Sequence, residues 1–580
     1  MRKTDQLFMW GYPQHFAHST EYLAKKVFVE LGIDLEPDIL LVGILKPGEK
    51  NNHPVCVEPE DGKWPLTTFS NLPTRFLEIE ATHPLRDIFY GDEPSMADKP
   101  ESIRRSSASM AAQEALVTFD QVNKVRSFCG SACPVGGYYV VPVLQVPALV
   151  FDKFPPLQLP DTGRDYTPKG EQSLIHSAIG VLLDEASEYL LQPDPGRNLS
   201  FDMRHASDIA REAAERFMRI PDFLTGAFGY SATDLFQRLN ILSSLFYEGR
   251  EGLGSLVLAK PDSSFLEYAV RFRTPVPLTE PRWARKILQM ASEQFALICS
   301  DGKIHGLGNI AATHQAEQLD AVTINFLDHY QWELCVGSRS LMYSRYREPK
   351  LPQMPVEHLQ FVANYLRLFK SASTSDAEVL WRLFEACTSM EHGSMLVVLE
   401  DAEKEAERLK DQGTAIEPVL MTRELLHRVS GIDGSILLDP AGHCFAIGVV
   451  LDGIATDDCL PARGSRYNSA LRYVGGATAA RMAIIVSDDK TVDIVPFLRP
   501  QISKQEIEAR IQSFEKASTD DYHADQSWLD KHRFYLKEPE IRRINAVLDR
   551  LNNADRDVGE IRYLVARFVA SSEVNDSYFC

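Results

Sequence analysis

Gly431-Ile-Asp-Gly-Ser-Ile-Leu-Leu438 sets an Asp-Gly pair directly before a short apolar run, and Arg463-Gly-Ser-Arg-Tyr-Asn468 follows further along the chain. The apolar run predicts a buried strand. Asp433 would then lie at a strand end, where its carboxylate suits Mg²⁺ or Mn²⁺ because both prefer hard oxygen ligands. Gly464-Ser465 offers backbone N–H groups to phosphate oxygens ahead of a helix, and Arg466 adds a planar, charged donor. The two segments together predict a site for a metal and a phosphate-bearing ligand.

The sequence around these segments alternates between strand-like and helix-like patterns. Apolar runs predict strands, and apolar residues at helical spacing predict helices. In chain order the predicted elements are a strand at Gly393–Leu399, a helix at Thr422–Val429, a strand at Ile436–Leu438, a turn at Asp439–Gly442, a strand at Phe445–Leu451, a helix at Ser469–Ala480 and a strand at Met482–Ser487.

In the order and spacing of these elements, residues 376–500 resemble the diadenylate cyclase domain family. That family has an Asp-Gly-Ala segment opening the strand after the helix, where this chain has Asp433-Gly434-Ser435. The resemblance implies an α/β fold with a mixed sheet flanked by helices. It also implies that two ATP are condensed into cyclic di-AMP with release of two pyrophosphates, in a metal-dependent reaction. Two domains of the family meet face to face, so a homodimer or larger symmetric assembly is expected.

The resemblance also assigns roles to individual residues. Asp433 and Arg466 are expected to be catalytic. Asp433 would be the main ligand of Mg²⁺ or Mn²⁺, with Asp488 and Asp489 in support. The residues expected to bind ATP are Gly434, Ser435, Leu460, Gly464, Ser465, Arg466, Tyr467, Asn468 and Ser487.

The second segment departs from the family, which usually has Arg-His-Arg where this chain has Arg466-Tyr467-Asn468, so that Arg466 is retained and the other two residues differ. One cation is lost, although a phenol and an amide still donate hydrogen bonds. Four outcomes stay open: a slower cyclase, dependence on another metal, preference for another nucleotide pair, or binding without catalysis. The alternative function is therefore a non-catalytic nucleotide-binding sensor, and the bases of any product stay undetermined.

Four regions are predicted along the chain. Residues 1–200 are expected to form an α/β sensor-like region with an unknown ligand or protein partner, and residues 201–372 a second α/β region. Residues 373–500 would be the cyclase-like domain, and residues 501–580 a helical C-terminal segment with helices at Lys504–Ala517, Gln526–Phe534 and Glu538–Asn552.

Short segments of the second region are similar in sequence to segments of the cyclase-like domain. Gly254–Ala259 parallels Gly393–Val398, and Phe295–Ser300 parallels Asp433–Leu438, so that Phe295 takes the place of Asp433. Gly337-Ser-Arg339 further echoes Gly464-Ser-Arg466. These parallels predict a degenerate repeat without the metal carboxylate, and the alternative is coincidence among short Gly-Ser and apolar runs.

The N-terminal region predicts a helix at His15–Leu31 and strands at Ile39–Ile44, Gly137–Leu144 and Ala148–Phe151. Pro142 within one of these strands favours a place at a sheet edge, because proline cannot donate to a neighbouring strand. Residues 98–110 are rich in serine and charge, which predicts a linker or loop.

Composition places the chain among globular proteins of the cytoplasm, since 44% of its residues are hydrophobic and 24% are charged. Its formal net charge of −20 argues against broad binding to nucleic acid or anionic membranes, which are themselves negative. Nine cysteines without regular spacing are typical of reduced thiols. No stretch predicts a targeting segment or a membrane span, so a cytoplasmic protein without membrane contact is expected.

Overall fold

The computed structural model describes residues 10–580 apart from residues 34, 52, 60–63, 65, 158–172, 198–202, 226–233, 247–252, 293, 312–319, 354–355, 391, 454–464, 476, 478, 488–490, 497, 520, 555–563, 572–573 and 575. The chain divides into two compact units, one of residues 1–352 with 518–524 and the other of residues 353–517 with 525–580. Within the described residues the strands form three sheets flanked by helices, which confirms the mixed α/β class predicted from the sequence.

The first sheet of the N-terminal unit has β5 as its central strand. Its strands are β1 (Asp38–Leu45), β2 (Val55–Glu58), β3 (Val125–Cys129), β4 (Cys133–Val135) and β5 (Tyr138–Pro147). They pair in the order β2-β1-β5-β3, and β4 also pairs with β5. The helices that accompany it are α1 (Pro13–Glu30), α2 (Leu72–Thr82), α3 (Glu93–Asn123), α4 (Ala148–Phe151), α5 (Leu174–Leu190) and α6 (Ala206–Thr225).

Residues 98–110 are not the predicted linker, because they lie inside the long helix α3. The helix begins behind Asp92, whose side chain accepts a hydrogen bond from the N–H of Ser95. Small and apolar residues then recur at helical spacing and pack against the first sheet; they are Ala108, Ala111, Ala112, Leu116 and Phe119. Tertiary burial of this narrow stripe outweighs the polar composition that favoured a loop.

Two further expectations for this region were wrong. Residues 148–151 form the short helix α4 and not a strand. Pro142 lies in β5, which pairs with β1 on one side and with β3 and β4 on the other. It is tolerated there because β3 ends at Cys129 and β4 begins at Cys133, so the proline faces the interruption between them, where its carbonyl accepts the N–H of Gly130 at 2.8 Å.

The second sheet of the N-terminal unit has eight strands in the order β13-β12-β11-β10-β6-β8-β9-β7. These are β6 (Gly254–Ala259), β7 (Leu266–Pro277), β8 (Ala296–Ser300), β9 (Lys303–Ile310), β10 (Ala321–Asp328), β11 (Gln331–Val336), β12 (Arg339–Arg345) and β13 (Glu348–Lys350), with helices α7 (Leu235–Ser244) and α8 (Pro281–Leu288). Helix α7 is tied to the sheet through buried Asn240, whose side-chain oxygen accepts from Trp332 at 2.8 Å and from Ser344 at 2.7 Å.

The third sheet lies in the other unit and has six strands in the order β15-β17-β16-β14-β18-β19. The strands are β14 (Ser394–Leu399), β15 (Thr414–Leu420), β16 (Ser435–Leu438), β17 (His443–Val449), β18 (Arg481–Val486) and β19 (Val492–Val495). The helices are α9 (His358–Leu368), α10 (Thr374–Thr388), α11 (Ala402–Arg408), α12 (Arg423–Val429) and α13 (Ser465–Gly475). Every residue of β14 is buried, because its alternate side chains enter apolar clusters on both faces of the sheet.

The second and third sheets share one strand arrangement. Strands β11-β10-β6-β8-β9-β7 follow the same order along the sheet, and the same order along the chain, as β19-β18-β14-β16-β17-β15. The senses of pairing agree as well: β6 runs parallel to β8 as β14 does to β16, and the remaining neighbours are antiparallel in both sheets.

The C-terminal segment is helical, as predicted. Its helices are α14 (Lys504–Lys516), α15 (His523–Lys531) and α16 (Glu538–Asn553). Arg543 of α16 forms ion pairs at 2.8 Å with both Glu508 and Glu515 of α14. The mixed charge of this segment therefore serves contacts between its own helices.

Ser107 lets the helix at residues 98–110 be tested against the linker. It is fully buried in α3, and its hydroxyl finds no hydrogen-bond partner among the described residues. We expect Ser107→Pro to lower the free energy of unfolding by about 3 kcal/mol or more, because proline breaks a helix interior. Ser107→Ala should be neutral or stabilising, since it removes an unpaired buried hydroxyl. Urea unfolding measures both, and equal stability of the two variants would contradict the helix.

Candidate functional site

The strand pairing of the third sheet brings several predicted site residues to one end of its strands. Leu396 of β14 pairs in parallel with Ile436 of β16, and Ser394 pairs with Val486 of antiparallel β18. The starts of β14 and β16 therefore lie beside the end of β18. Asp433 and Gly434 directly precede β16, and Ser487 directly follows β18, so these residues converge although they are distant in the sequence.

Gly434 holds this end of the sheet in a conformation that a side chain would disrupt. Its φ is +120°, and a Cβ built on it would lie 2.5 Å from the carbonyl carbon of Gly448. The following residue, Ser435, is fully buried, and its hydroxyl donates to the carbonyl of Val449 at 2.9 Å. The Ser435 hydroxyl is thus engaged within the sheet, and ATP binding by Ser435 stays a prediction.

Asp433 and Arg466, the two residues predicted to be catalytic, lie together. The side chain of Asp433 is 97% exposed, and Arg466 Nη2 lies 3.7 Å from its Oδ1. Oδ1 also accepts the N–H of Gly434 at 3.1 Å. Arg466 reaches this position from the first turn of α13, and Ser465 is exposed at the start of that helix. A carboxylate and a guanidinium thus meet at an open strand end.

The remaining predicted site residues lie in different surroundings. Tyr467 packs against the apolar cluster beneath α13, Asn468 is half-buried, and the N–H of Ser487 donates to the carbonyl of Thr491 at 2.9 Å. The predictions for Leu460, Gly464, Asp488 and Asp489 fall outside the described residues.

The described residues of this site offer few oxygen ligands for a hard divalent cation. Among the residues described, no group of three or more His, Cys, Asp or Glu is arranged to hold a metal ion. Asp433 offers one exposed carboxylate. Mg²⁺ commonly binds through one or two carboxylates while keeping waters and substrate phosphates as its other ligands. The residues present therefore fit a metal that arrives with a nucleotide better than one held by the protein alone.

A buried charge network fixes the helix that carries Arg466. Its centre is Glu405 of α11, which is 6% exposed. Arg408 donates two hydrogen bonds to Glu405, at 2.8 and 2.9 Å, and the hydroxyl of Tyr473 of α13 donates at 2.7 Å. Arg481 at the start of β18 lies 3.2 Å from the same carboxylate, and Arg408 also binds Asp452 at 2.6 Å. The network therefore joins α11, α13, β18 and the chain beyond β17.

The electrostatics of the network follow from its partners. Burial alone raises the pKa of Glu405, but hydrogen bonds from Arg408 and Tyr473 and the charge of Arg481 outweigh it and hold that pKa below its usual value. The hydrogen bond from Arg408 likewise lowers the pKa of Asp452. Sequence reasoning missed these residues. The available signal was a set of charges inside otherwise apolar elements, such as Arg481 directly before the run Met482–Val486.

Two family models match the N-terminal unit of the chain. Residues 9–218 match a model described as "Probable sensor domain DACNG", and residues 233–338 match one described as "Probable sensor domain DACNH". Both belong to a DAC-associated family of sensor domains. The first match agrees with the sensor-like N-terminal region expected from the sequence. The search of curated proteins finds no match to the chain.

Solved structures show weak likenesses. A double mutant of DacA from Staphylococcus aureus is 18% identical with a TM-score of 0.19, over 24% of this chain and 97% of that one. A hypothetical membrane spanning protein from Bacillus cereus is 16% identical with a TM-score of 0.19, over 24% of this chain and 65% of that one. In this chain, none of the described helices is long and apolar enough to cross a membrane.

Gly434 allows a direct test of the close approach between β16 and β17. We expect Gly434→Ala to lower the free energy of unfolding by about 2–4 kcal/mol, because it adds overpacking to an unfavourable left-handed φ. Gly431→Ala is the matched control, since a Cβ at Gly431 meets no atom within 4 Å. Chemical unfolding gives both values, and similar losses for the two variants would contradict the close approach.

Glu405 tests the buried network. We expect Glu405→Gln to destabilise by about 2–3 kcal/mol at neutral pH, because it removes one of the two carboxylates, Glu405 and Asp401, that lie 3.2 Å from the largely buried guanidinium of Arg481. The pKa of Glu405 is lower in the folded protein than its unfolded-state value of 4.5, so ionised Glu405 stabilises the fold above about pH 4.5. This contribution is lost as the pH falls through the folded-state pKa. The difference from the wild type should therefore shrink below about pH 4.5.

The control for this test is Glu407→Gln on the same helix, where the Glu407 side chain is 71% exposed and paired with Lys410. It should change stability by less than about 1 kcal/mol, as exposed pairs do. A Glu405 variant as stable as this control would refute the network.

The chain thus carries two stretches similar to DAC-associated sensor domains, ahead of the sheet whose strand ends hold Asp433 and Arg466.

Proposed function

We propose that residues 373–500 form a diadenylate cyclase domain, which condenses two ATP into cyclic di-AMP and two pyrophosphates. Residues 1–200 would be the sensor region that regulates it, residues 201–372 a second α/β region, and residues 501–580 a helical C-terminal segment. The observation that carries the proposal is the pairing of Asp433 with Arg466 at 3.7 Å, directly before β16.

The Asp433–Arg466 pair is suited to being opened by a nucleotide. Both groups are accessible, since Arg466 is 34% exposed and Asp433 97% exposed. An exposed pair of this kind contributes only about 0–1 kcal/mol, so little is lost when its members separate. The guanidinium would then bind phosphate oxygens through its planar fork, and the carboxylate would become available to a cation.

The chain's own residues would mainly position and neutralise the reactants. Arg466 and the backbone N–H groups at the start of α13, beginning with Ser465, would hold the triphosphate. Asp433 would hold a Mg²⁺ or Mn²⁺ ion, with Asp488 and Asp489 in support, and would help orient the attacking ribose hydroxyl. When bound, that metal supplies charge neutralisation at the phosphates. Phosphoryl transfer asks little covalent chemistry of a protein, so alignment would supply most of the acceleration.

A single domain would hold only one of the two nucleotides. Each 3′-hydroxyl must reach the α-phosphorus of the other ATP, which requires two sites facing each other. A two-fold arrangement of two chains meets this need with one kind of interface. The proposal therefore includes a homodimer or larger symmetric assembly, with ATP as the small-molecule partner.

A second function is favoured by Tyr467. Its ring packs against the apolar cluster beneath α13, and Asn468 is half-buried, so neither adds positive charge beside Arg466. A site with one described cation would bind a triphosphate more weakly than one with several. The alternatives are a non-catalytic nucleotide-binding sensor and a cyclase with another nucleotide preference.

Product analysis separates these functions. The purified full chain would be incubated with ATP, GTP, CTP and UTP, singly and in pairs, together with Mg²⁺ or Mn²⁺, and the products identified by mass. The cyclase predicts cyclic di-AMP from ATP alone. Nucleotide binding without any dinucleotide would support the sensor, and a product from another nucleotide would support an altered preference.

Asp433 carries the sharpest prediction for activity. We expect Asp433→Asn to lower kcat by about 10²–10³-fold, because it removes the charge that holds the cation beside the phosphates. Stability should be nearly unchanged, since the side chain is 97% exposed. The control is Glu424→Gln on neighbouring α12, also an exposed acidic residue, which should keep full activity. An Asp433 variant as active as this control would overturn its assignment as metal ligand.

A further inference from the structure

The strand arrangement shared by the second and third sheets makes their residues comparable one by one. Leu256 pairs with Leu297 and with Ile324, as Leu396 pairs with Ile436 and with Ile484. The starts of β6 and β8 and the end of β10 therefore lie at one end of the second sheet. This is the counterpart of the strand end at which Asp433 and Ser487 lie in the third sheet.

The counterpart end has lost the residues proposed for cyclase chemistry. Strand β8 begins at Ala296 and β16 at Ser435, so Phe295 stands in the place of Gly434 and Gln294 in that of Asp433. The sequence comparison was thus one residue off in matching Phe295 with Asp433. Gly337-Ser-Arg339 is no counterpart of Gly464-Ser-Arg466 either, since it lies in the turn between β11 and β12. Neither position carries a carboxylate or a glycine.

Aromatic rings gather at this end of the second sheet instead. They lie on two adjacent hairpin turns, His329-Tyr330 between β10 and β11 and Tyr346-Arg347 between β12 and β13. The rings of His329 and Tyr330 are 4.4 Å apart, and those of Tyr330 and Tyr346 are 5.7 Å apart. Phe246 joins them, with its ring 4.2 Å from that of His329.

The two turns carry residues that their backbone does not favour. Tyr330, Tyr346 and Arg347 have φ values of 58°, 51° and 68°. A two-residue turn with both residues in this region strongly prefers Asn-Gly, because bulky side chains are strained there. Strained residues of this kind concentrate at functional sites, where the side chain is needed despite its cost to the fold.

The cluster presents both apolar rings and positive charge to solvent. Tyr346 is 63% exposed and Phe246 is 54% exposed. The guanidinium of Arg345 lies 5.8 Å from the centre of the Tyr346 ring, and Arg347 is exposed on the same turn. Asp328 is an opposing charge nearby, and it accepts the N–H of His329 at 2.6 Å. Arg345 and Arg347 thus lie beside exposed aromatic rings, with the carboxylates of Asp328 and Glu348 at the ends of neighbouring strands.

We propose that this cluster is a second nucleotide site, in which a base stacks on the exposed ring of Tyr346 while Arg345 and Arg347 bind the phosphates. Aromatic faces accept any base by stacking, and arginine forks match phosphate oxygens. Phe246, His329 and Tyr330 lie within residues 233–338, and Arg345, Tyr346 and Arg347 lie in the hairpin that follows them. The residues proposed for cyclase chemistry are absent from this cluster. It binds a nucleotide without converting it, which suits the sensor description of this stretch. The proposal does not rest on cyclase activity.

Tyr346→Asn/Arg347→Gly tests the site without endangering the fold. The double variant removes the ring and the guanidinium while giving the turn its preferred residues, so its midpoint of thermal unfolding should rise. The measurement is equilibrium dialysis of the full chain with ATP, GTP, CTP and UTP in turn, in an Arg466→Gln background that disables the site in the third sheet. We expect the background to bind about one nucleotide per chain, and the added double substitution to weaken this binding at least about tenfold.

Tyr22→Asn is the matched control, because Tyr22 of α1 is 59% exposed with Lys26 5.3 Å from its ring centre, far along the chain from the cluster. It should leave binding unchanged. Equal binding with and without the double substitution would overturn the proposal, as would failure of the Arg466→Gln chain to bind any of the four nucleotides. If the wild-type chain makes no cyclic di-AMP, that result contradicts the proposed function and leaves the test of this second nucleotide site unaffected.

Discussion

Parallel pairing of β14 with β16 is the constraint on which the candidate site depends. Parallel neighbours require the chain to cross over the sheet, so both strands start at the same end. Residues 399–435 make that crossover through α11, β15 and α12. Since β18 runs antiparallel to β14, its last residue arrives at the same end. Backbone pairing alone therefore brings Asp433 and Ser487 to the same end of the sheet, with β14 between their two strands.

The third sheet uses charge in two physically different ways. Glu405 and Arg481 are largely buried, with side chains 9% and 10% exposed, so their mutual attraction is strong and either is costly to remove alone. Asp433 and Arg466 are accessible, and water weakens their attraction. The first arrangement holds α13 against the sheet, and the second stays available for exchange with a ligand. A helix fixed at one end of the strands thus presents an exchangeable group at the other.

How far the sequence predicts the structure depends on how local the signal is. A helix follows Thr422 and residues 439–442 form a turn, as expected, because helical spacing and turn chemistry act over a few residues. Helix α3 was mistaken for a linker because its helical character comes from burial of alanines against a distant sheet. Pro142 was placed at an edge because nothing in its own strand reveals the interruption between β3 and β4.

The site follows the same rule. Asp433 and Arg466 could be predicted as site residues because each belongs to a short motif with its own chemistry. The structure places the two side chains together. The Glu405 network could not be predicted, because its members come from separate elements whose meeting is decided by the fold. Leu460, Gly464, Asp488 and Asp489 stay predictions, since they lie outside the described residues.

The Glu405 network also bears on how this domain could change during evolution. Asp452 and Tyr473 flank the segment between β17 and the body of α13, and both are tied to α11, through Arg408 and Glu405 respectively. A segment whose two flanks are anchored to one short helix closes a loop whose entropy varies only slowly with its length. Changes of chain length between Asp452 and the start of α13 would therefore leave the sheet and the Glu405 network intact. Ligand preference could change through this stretch of chain while the sheet and the Glu405 network keep their arrangement.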